Sequence, residues 1–167
     1  MNSSDYPRVY FLLSIYLCQA KGYYEFYEMN EMNELKIIIV DDHKEYRTAV
    51  KALLQSKFKY CNIDEAGNAE ELMKLKDFQS ADLILMDIMM PGMNGIELTK
   101  NILWNYRSLK IIAYTMFLDN LYLPEIIGSG CKGWILKEYL QENLEECFRI
   151  VLGGELYYPN YLKQTTY

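Results

Sequence analysis

The sequence predicts an α/β fold, a doubly wound sandwich with a five-stranded parallel sheet and helices on both faces. Three observations carry this expectation. Five short apolar runs alternate with five segments of helical periodicity. The runs are continuously apolar rather than alternating, as strands buried on both faces require. They are also followed by polar residues of varied chemistry, namely Asp41-Asp42, Asp87, Thr115 and Lys137. In open parallel sheets, ligands bind outside those carboxyl ends.

Taken in order, "LKIIIV" is the first strand. "HKEYRTAVKALLQS" follows, with Tyr46, Ala49, Val50, Leu53 and Leu54 at helical spacing. "CNIDEAG" reads as a short strand. "NAEELMKLK" reads as a helix, with Asn68 as N-cap and Glu71 three residues on, close to a capping box. "DLILMD" is the third strand, and "GIELTKNILWN" a helix with Ile96, Leu98, Ile102 and Leu103 inward. "LKIIAYT" is the fourth strand. "LDNLYLPEIIGSG" reads as a weak helix, interrupted by Pro124 and ended by Gly128 and Gly130. "KGWIL" is the fifth strand. "QENLEECFRIVLGG" is an amphipathic helix with Leu144, Cys147, Phe148 and Val151 on one stripe.

Composition narrows the function. The chain has 167 residues, enough for one domain with a core, and 51% of them are hydrophobic. A net charge of −6, with no run of basic residues, argues against direct nucleic-acid binding. The four cysteines form no CxxC pair and His43 is the only histidine, which argues against a zinc site. Cys61, Cys131 and Cys147 read as small core residues of a reduced, cytoplasmic protein. Residues 1–33 read as an appendage outside the domain. Their longest apolar stretch, "VYFLLSIYLCQA", is shorter than the roughly 20 residues a membrane span needs. The domain is expected over residues 34–154, with Met29 or Met32 as its natural start, and residues 155–167 as a linker-like tail.

A single polar residue at a strand end is ordinarily just solvated. Five in this order on one rim point to a site. Three carboxylates so close repel one another, and one tends to protonate. A divalent cation relieves that repulsion, and oxygen donors suit Mg²⁺. A carboxylate beside a lysine and a metal is arranged to attack phosphorus and hold the product as an acyl phosphate. The threonine hydroxyl is suited to bond a phosphoryl oxygen.

"IIIVDD", "LILMDIMMPGMNG", "IIAYT" and "GCKGWILK" together resemble the motifs of a response-regulator receiver domain, from about Lys36 to Gly154. The "DDH" start and "VLGGELYYP" resemble its NarL/LuxR-type branch. The resemblance implies a flavodoxin-like (βα)5 fold with strand order 2-1-3-4-5. It implies that Asp87 is the phosphoacceptor, that Asp42 binds Mg²⁺ directly and Asp41 through water, and that the backbone carbonyl of Met89 is a third protein ligand. Thr115 and Lys137 would bind the phosphoryl group, and Trp134 stands at the position of the switch aromatic. The implied partner is a sensor histidine kinase, with a homodimer or partner interface on the fourth helix, fifth strand and fifth helix. The protein would be a cytoplasmic switch rather than an enzyme, with no membrane contact.

Several features depart from that pattern. Trp134 is larger than the usual Tyr or Phe, so its inward rotation needs more room. Pro124 implies a short or bent fourth helix. Met89 and Phe117 are apolar where the family often places polar groups that guide water, which implies a shielded, long-lived phosphoryl group. The chain ends 13 residues past Gly154, where the branch normally continues to a helix-turn-helix domain. The protein is therefore either a stand-alone receiver or the receiver of a longer regulator.

Other residues have plainer readings. His43 reads as a partly exposed first-turn residue, and Met86, Met89, Met90 and Met93 as packing. Gly92 and Gly95 read as turn geometry, with Pro91 stiffening the loop. Leu121, Tyr122 and Trp134, beside the exposed part of the last helix, form either an interaction surface or simple packing. Two other functions fit less well. A haloacid-dehalogenase-type phosphatase needs an acid at position 89, which is Met. A flavodoxin-like cofactor carrier needs a Ser, Thr and Gly loop where this chain has Asp41-Asp42-His43-Lys44.

Overall fold

A computed structural model of the chain describes residues 35–116 and 123–159. The appendage, Phe117, Leu121, Tyr122 and Cys18 lie outside the described residues.

Five parallel strands form one sheet: β1 (Leu35–Val40), β2 (Cys61–Ala66), β3 (Leu83–Asp87), β4 (Ile111–Thr115) and β5 (Gly133–Leu136). Their order is β2-β1-β3-β4-β5. The helices are α1 (Lys44–Lys57), α2 (Ala69–Lys74), α3 (Gly95–Asn105), α4 (Leu123–Gly128) and α5 (Leu140–Leu152), with 3₁₀ turns at Phe78–Ser80 and Lys137–Tyr139. Because successive residues of a strand point to opposite faces, each strand supplies two cores. Ile38, Val40, Ile84, Met86, Ala113 and Trp134 pack with Leu72 of α2, Ile102 of α3 and Ile126 of α4. Ile37, Ile39, Leu85, Ile112, Tyr114 and Ile135 pack with Leu54 of α1 and Leu144 and Phe148 of α5. The expected stripe of α5 is wholly buried, and Phe148 stacks on Phe58 with ring centroids 5.0 Å apart.

Caps set the helix starts. The Asn68 side chain accepts the Glu71 N–H at 2.9 Å, while Glu71 reaches back to the Gly67 N–H at 2.6 Å. Asn94 does the same for α3 through the Glu97 N–H. Pro124 does not interrupt a longer described helix. It lies in the first turn of a six-residue α4, where a missing N–H costs nothing. Ala49, although at helical spacing, faces solvent.

The two edges of the sheet differ. β2 is polar, with only Ile63 and Ala66 buried. The β5 edge is covered by the start of the stretch expected to be a linker. Tyr157 forms a parallel bridge with Gly133, its N–H donating to the Lys132 carbonyl at 2.9 Å and its carbonyl accepting from Trp134 N–H at 3.3 Å. Its hydroxyl donates to Asn143 Oδ1 at 2.8 Å, and its ring is buried. This pairing satisfies backbone groups that an open edge would leave available to another strand.

Phe148→Ala removes one partner of the stacked pair from a fully buried site. It is expected to lower unfolding free energy by about 3–5 kcal/mol, read from urea denaturation. A loss below 1 kcal/mol would mean that this core collapses around the gap.

Candidate functional site

The site grows from the carboxyl ends of β1, β3 and β5. Parallel register sets Asp87 beside Tyr114, and Thr115 beside Leu136. Asp41 is the first residue past β1 and is held on all sides. Its N–H donates to the Ala66 carbonyl at 3.1 Å, and its own carbonyl accepts from the Arg47 guanidinium. Its Oδ1 accepts the His43 N–H at 2.8 Å. Its Oδ2 accepts both the Tyr114 hydroxyl at 2.8 Å and Lys137 Nζ at 2.7 Å. The same ammonium donates to Asp87 Oδ2 at 2.7 Å. Asp87 Oδ1 accepts the Met89 N–H at 3.0 Å.

This is a buried ion triad. Asp41 is 0% exposed and Asp87 2% exposed. Such charges persist only when each is paired and hydrogen-bonded. The Lys137 ammonium also lies 4.5 Å from the Tyr46 ring centroid and 4.8 Å from that of Tyr114. The Tyr46 hydroxyl closes the arrangement by donating to the Lys137 carbonyl at 3.2 Å.

The two carboxyls respond differently to burial. For Asp41, burial opposes the charge, but Lys137, the His43 N–H and the Tyr114 hydroxyl outweigh it and hold the carboxyl below its usual range. For Asp87, burial prevails and, with the Asp41 charge, pushes the carboxyl up, although Lys137 and the Met89 N–H offset part of the rise. Burial and the charges on Asp41 and Asp87 push the Tyr46 phenol up to about 12. The same causes, with burial largest, raise Tyr114 further, so both hydroxyls remain donors.

One ligand atom each from Asp41, Asp42, His43 and Asp87 lie within 4.8 Å of one another. Opposite oxygens around Mg²⁺ are about 4.2 Å apart, so this donor set is close to the size of one coordination sphere. Asp42 Oδ1 is buried without a hydrogen-bond partner, although His43 Nδ1 is 3.1 Å away. A carboxylate oxygen left in that state suits a hard cation.

The loop after Asp87 owes its shape to two glycines with different duties. Gly92 has φ +78°, in the left-handed region that disfavours a side chain. Gly95 serves close approach instead of a turn. A Cβ there would lie 2.0 Å from the Asp87 carbonyl oxygen.

The structure brings Asp41, Asp42, Asp87 and Lys137 together as expected. Thr115 stands at the same rim but on the opposite side chain parity, sharing its sheet face with Trp134. Its Oγ1 is buried with no hydrogen-bond partner among the described residues. Trp134 is already inward, 1% exposed in the core beneath α4, so it contributes nothing to an exposed interaction surface here. Met89 engages the site through its N–H, while its side chain is 51% exposed. Sequence reasoning passed over Tyr46, Arg47 and Tyr114. The available signal for Tyr114 was parity: the residue before Thr115 faces the side on which Asp41 and Asp87 lie.

Asp87→Asn is expected to raise the melting temperature at neutral pH. Burial raises the folded-state pKa of Asp87, so its charged form costs stability above that value, and an amide carries no such cost while still accepting from Lys137. As pH falls through the raised pKa, the wild-type carboxyl protonates and the gap closes. Thermal melts across the pH range check this, on a scale of about 2–4 °C per kcal/mol; a gap that widens toward acid would contradict it. Gly95→Ala must displace the Asp87 carbonyl, and is expected to cost about 1–3 kcal/mol in denaturant titrations.

Residues 37–149 match the response regulator receiver domain family. The chain is 31% identical over 123 residues to the transcriptional regulatory protein DegU of Brevibacillus brevis, covering 74% of this chain and 52% of the relative. It is 36% identical over 130 residues to the transcriptional regulatory protein YdfI of Bacillus subtilis, covering 77% and 61%. Among solved structures, a LuxR-family two-component response regulator from Aurantimonas sp. SI85-9A1 superposes with a TM-score of 0.72 at 25% identity, covering 79% of this chain and 94% of that one. The chain thus spans between 52% and 61% of the length of these curated relatives. With its sheet order and its acidic rim, the chain belongs to the response regulator receiver domain family.

Proposed function

We propose that this protein is a phosphorylation-controlled switch in which Asp87 accepts a phosphoryl group from a phosphohistidine of a sensor histidine kinase. The observation that carries the reading is the Lys137 ammonium held 2.7 Å from both buried carboxylates, Asp41 and Asp87, at adjoining strand ends.

Asp42, Asp87 and the Met89 carbonyl, with Asp41 through water, would hold Mg²⁺. The ion supplies charge neutralisation for the transferring phosphoryl group. An Asp87 carboxylate oxygen attacks phosphorus, the P–N bond of the phosphohistidine breaks, and its electron pair leaves with the imidazole, which then takes a proton. Asp87 becomes an acyl phosphate carrying about −2 charge. Lys137 exchanges its bond to Asp87 for one to a phosphoryl oxygen while keeping Asp41. Thr115 Oγ1, which has no partner in the described structure, donates to another phosphoryl oxygen.

Thr115 and Trp134 share one sheet face, so drawing Thr115 toward Asp87 opens space beside the indole under α4. Repacking there alters the α4, β5 and α5 surface, the face suited to a homodimer or an output partner. The relatives are named as transcriptional regulators, and control of transcription through an output domain is the reading that follows from them. A second reading, action by protein–protein contact through the receiver alone, uses the same surface. The setting is cytoplasmic, and among the described residues no helix is long and apolar enough to cross a membrane.

Incubation with acetyl phosphate and Mg²⁺ is expected to label the protein to one phosphoryl group per chain, measured by intact mass. Asp87→Asn and metal chelation should each abolish the label. Continuous release of phosphate without a stoichiometric adduct would point to a phosphatase instead.

A further inference from the structure

Tyr114 touches both charged partners of Asp87 through different parts of its side chain. Its hydroxyl donates to Asp41 Oδ2 at 2.8 Å, and its ring lies 4.8 Å from Lys137 Nζ. We propose that Tyr114 is a positioning residue for the metal-dependent phosphotransfer: the hydroxyl locks the Asp41 carboxylate for the cation, and the ring confines the Lys137 ammonium. This rests on the function proposed above.

The argument starts with how the two oxygens of Asp41 are divided. Oδ2 takes Tyr114 and Lys137, on the inner side of the site. Oδ1 takes the His43 N–H and lies 3.5 Å from His43 Nδ1, on the side of the acidic cluster. Two donors on Oδ2 fix the rotation of the carboxylate, so that Oδ1 stays turned toward the cation position. With the hydroxyl removed, Oδ2 is held by Lys137 alone, and that ammonium must change partners during the reaction.

The ring has a separate duty. Tyr46 and Tyr114 stack at 6.2 Å between centroids, and Lys137 lies near both faces. Two of its N–H groups point to carboxylates, and the rings take the place of water on another side. The ammonium can then swing toward the phosphoryl group forming on Asp87 but not away from it. Register makes this possible, because Tyr114 is the direct partner of Asp87 across β3 and β4.

Two variants separate the duties. Tyr114→Phe keeps the ring and removes the hydroxyl, whereas Tyr114→Leu removes both. The rate of labelling by acetyl phosphate is measured against Mg²⁺ concentration, and Mg²⁺ binding is measured directly by calorimetry, with thermal melts to verify folding. Tyr114→Phe is expected to weaken Mg²⁺ binding about tenfold, the scale of one hydrogen bond to a charged group, and to raise the half-saturating Mg²⁺ concentration in parallel. Its maximal rate should stay within about twofold of wild type, since the ring remains. Tyr114→Leu should also lower the maximal rate at saturating Mg²⁺. A folded Tyr114→Phe with unchanged or tighter Mg²⁺ binding overturns the proposal, as does a loss of maximal rate equal to that of Tyr114→Leu. If Tyr114→Leu fails to fold, Tyr114→Phe alone decides. A wild-type protein that takes no label refutes the function proposed above, while the calorimetric comparison still judges the role of Tyr114.

Discussion

The bond from one ammonium to two buried carboxylates organises this molecule. Lys137 Nζ lies 2.7 Å from Asp41 Oδ2 and from Asp87 Oδ2, with almost no water near any of the three. Two acids at that separation would otherwise repel each other strongly in a low-dielectric setting. The sheet must therefore bring β1, β3 and β5 to one rim, and the lysine must follow β5 directly. In the proposed phosphotransfer, a lysine shared between two carboxylates would pass from one of them to the arriving phosphoryl group.

Side chain parity divides the rim into two halves. Asp41, Asp87, Tyr114 and Lys137 belong to the face covered by α1 and α5, while Thr115 and Trp134 belong to the face covered by α2, α3 and α4. Tyr114 and Thr115 are neighbours in sequence, yet one serves the charged triad and the other leads into the core beneath α4. A single strand end thus links chemistry on one face to packing on the other. Tyr157 extends this arrangement, because its carbonyl accepts the Trp134 N–H at the far edge of the sheet.

Much of this was legible in the sequence because it rests on short-range pattern. Continuous apolar runs identified β1, β3, β4 and β5, the 3.6-residue period the helices, and the order of Asp41-Asp42, Asp87, Thr115 and Lys137 the rim. The Asn68 cap with Glu71 was legible for the same reason, since both partners lie within one turn. Pro124 was read as implying a short or bent helix, and the described helix is six residues long with Pro124 in its first turn. Gly95 was assigned to turn geometry, whereas it is kept small by the Asp87 carbonyl, a contact between a strand end and a helix start. Tyr157 looked like linker because nothing local shows that a sheet edge lies beside it.

The sequence by itself determined the layers of the fold, the chemistry of the rim and the family resemblance, because periodicity and motif spacing are local properties of the chain. Only the tertiary structure decided which residues surround the lysine. The tyrosine cage draws on α1 and β4, and the bond from Tyr114 to Asp41 spans 73 residues. Contacts of that kind depend on strand register and on the packing of α1 against the sheet, and neither leaves a signature in any short stretch of sequence.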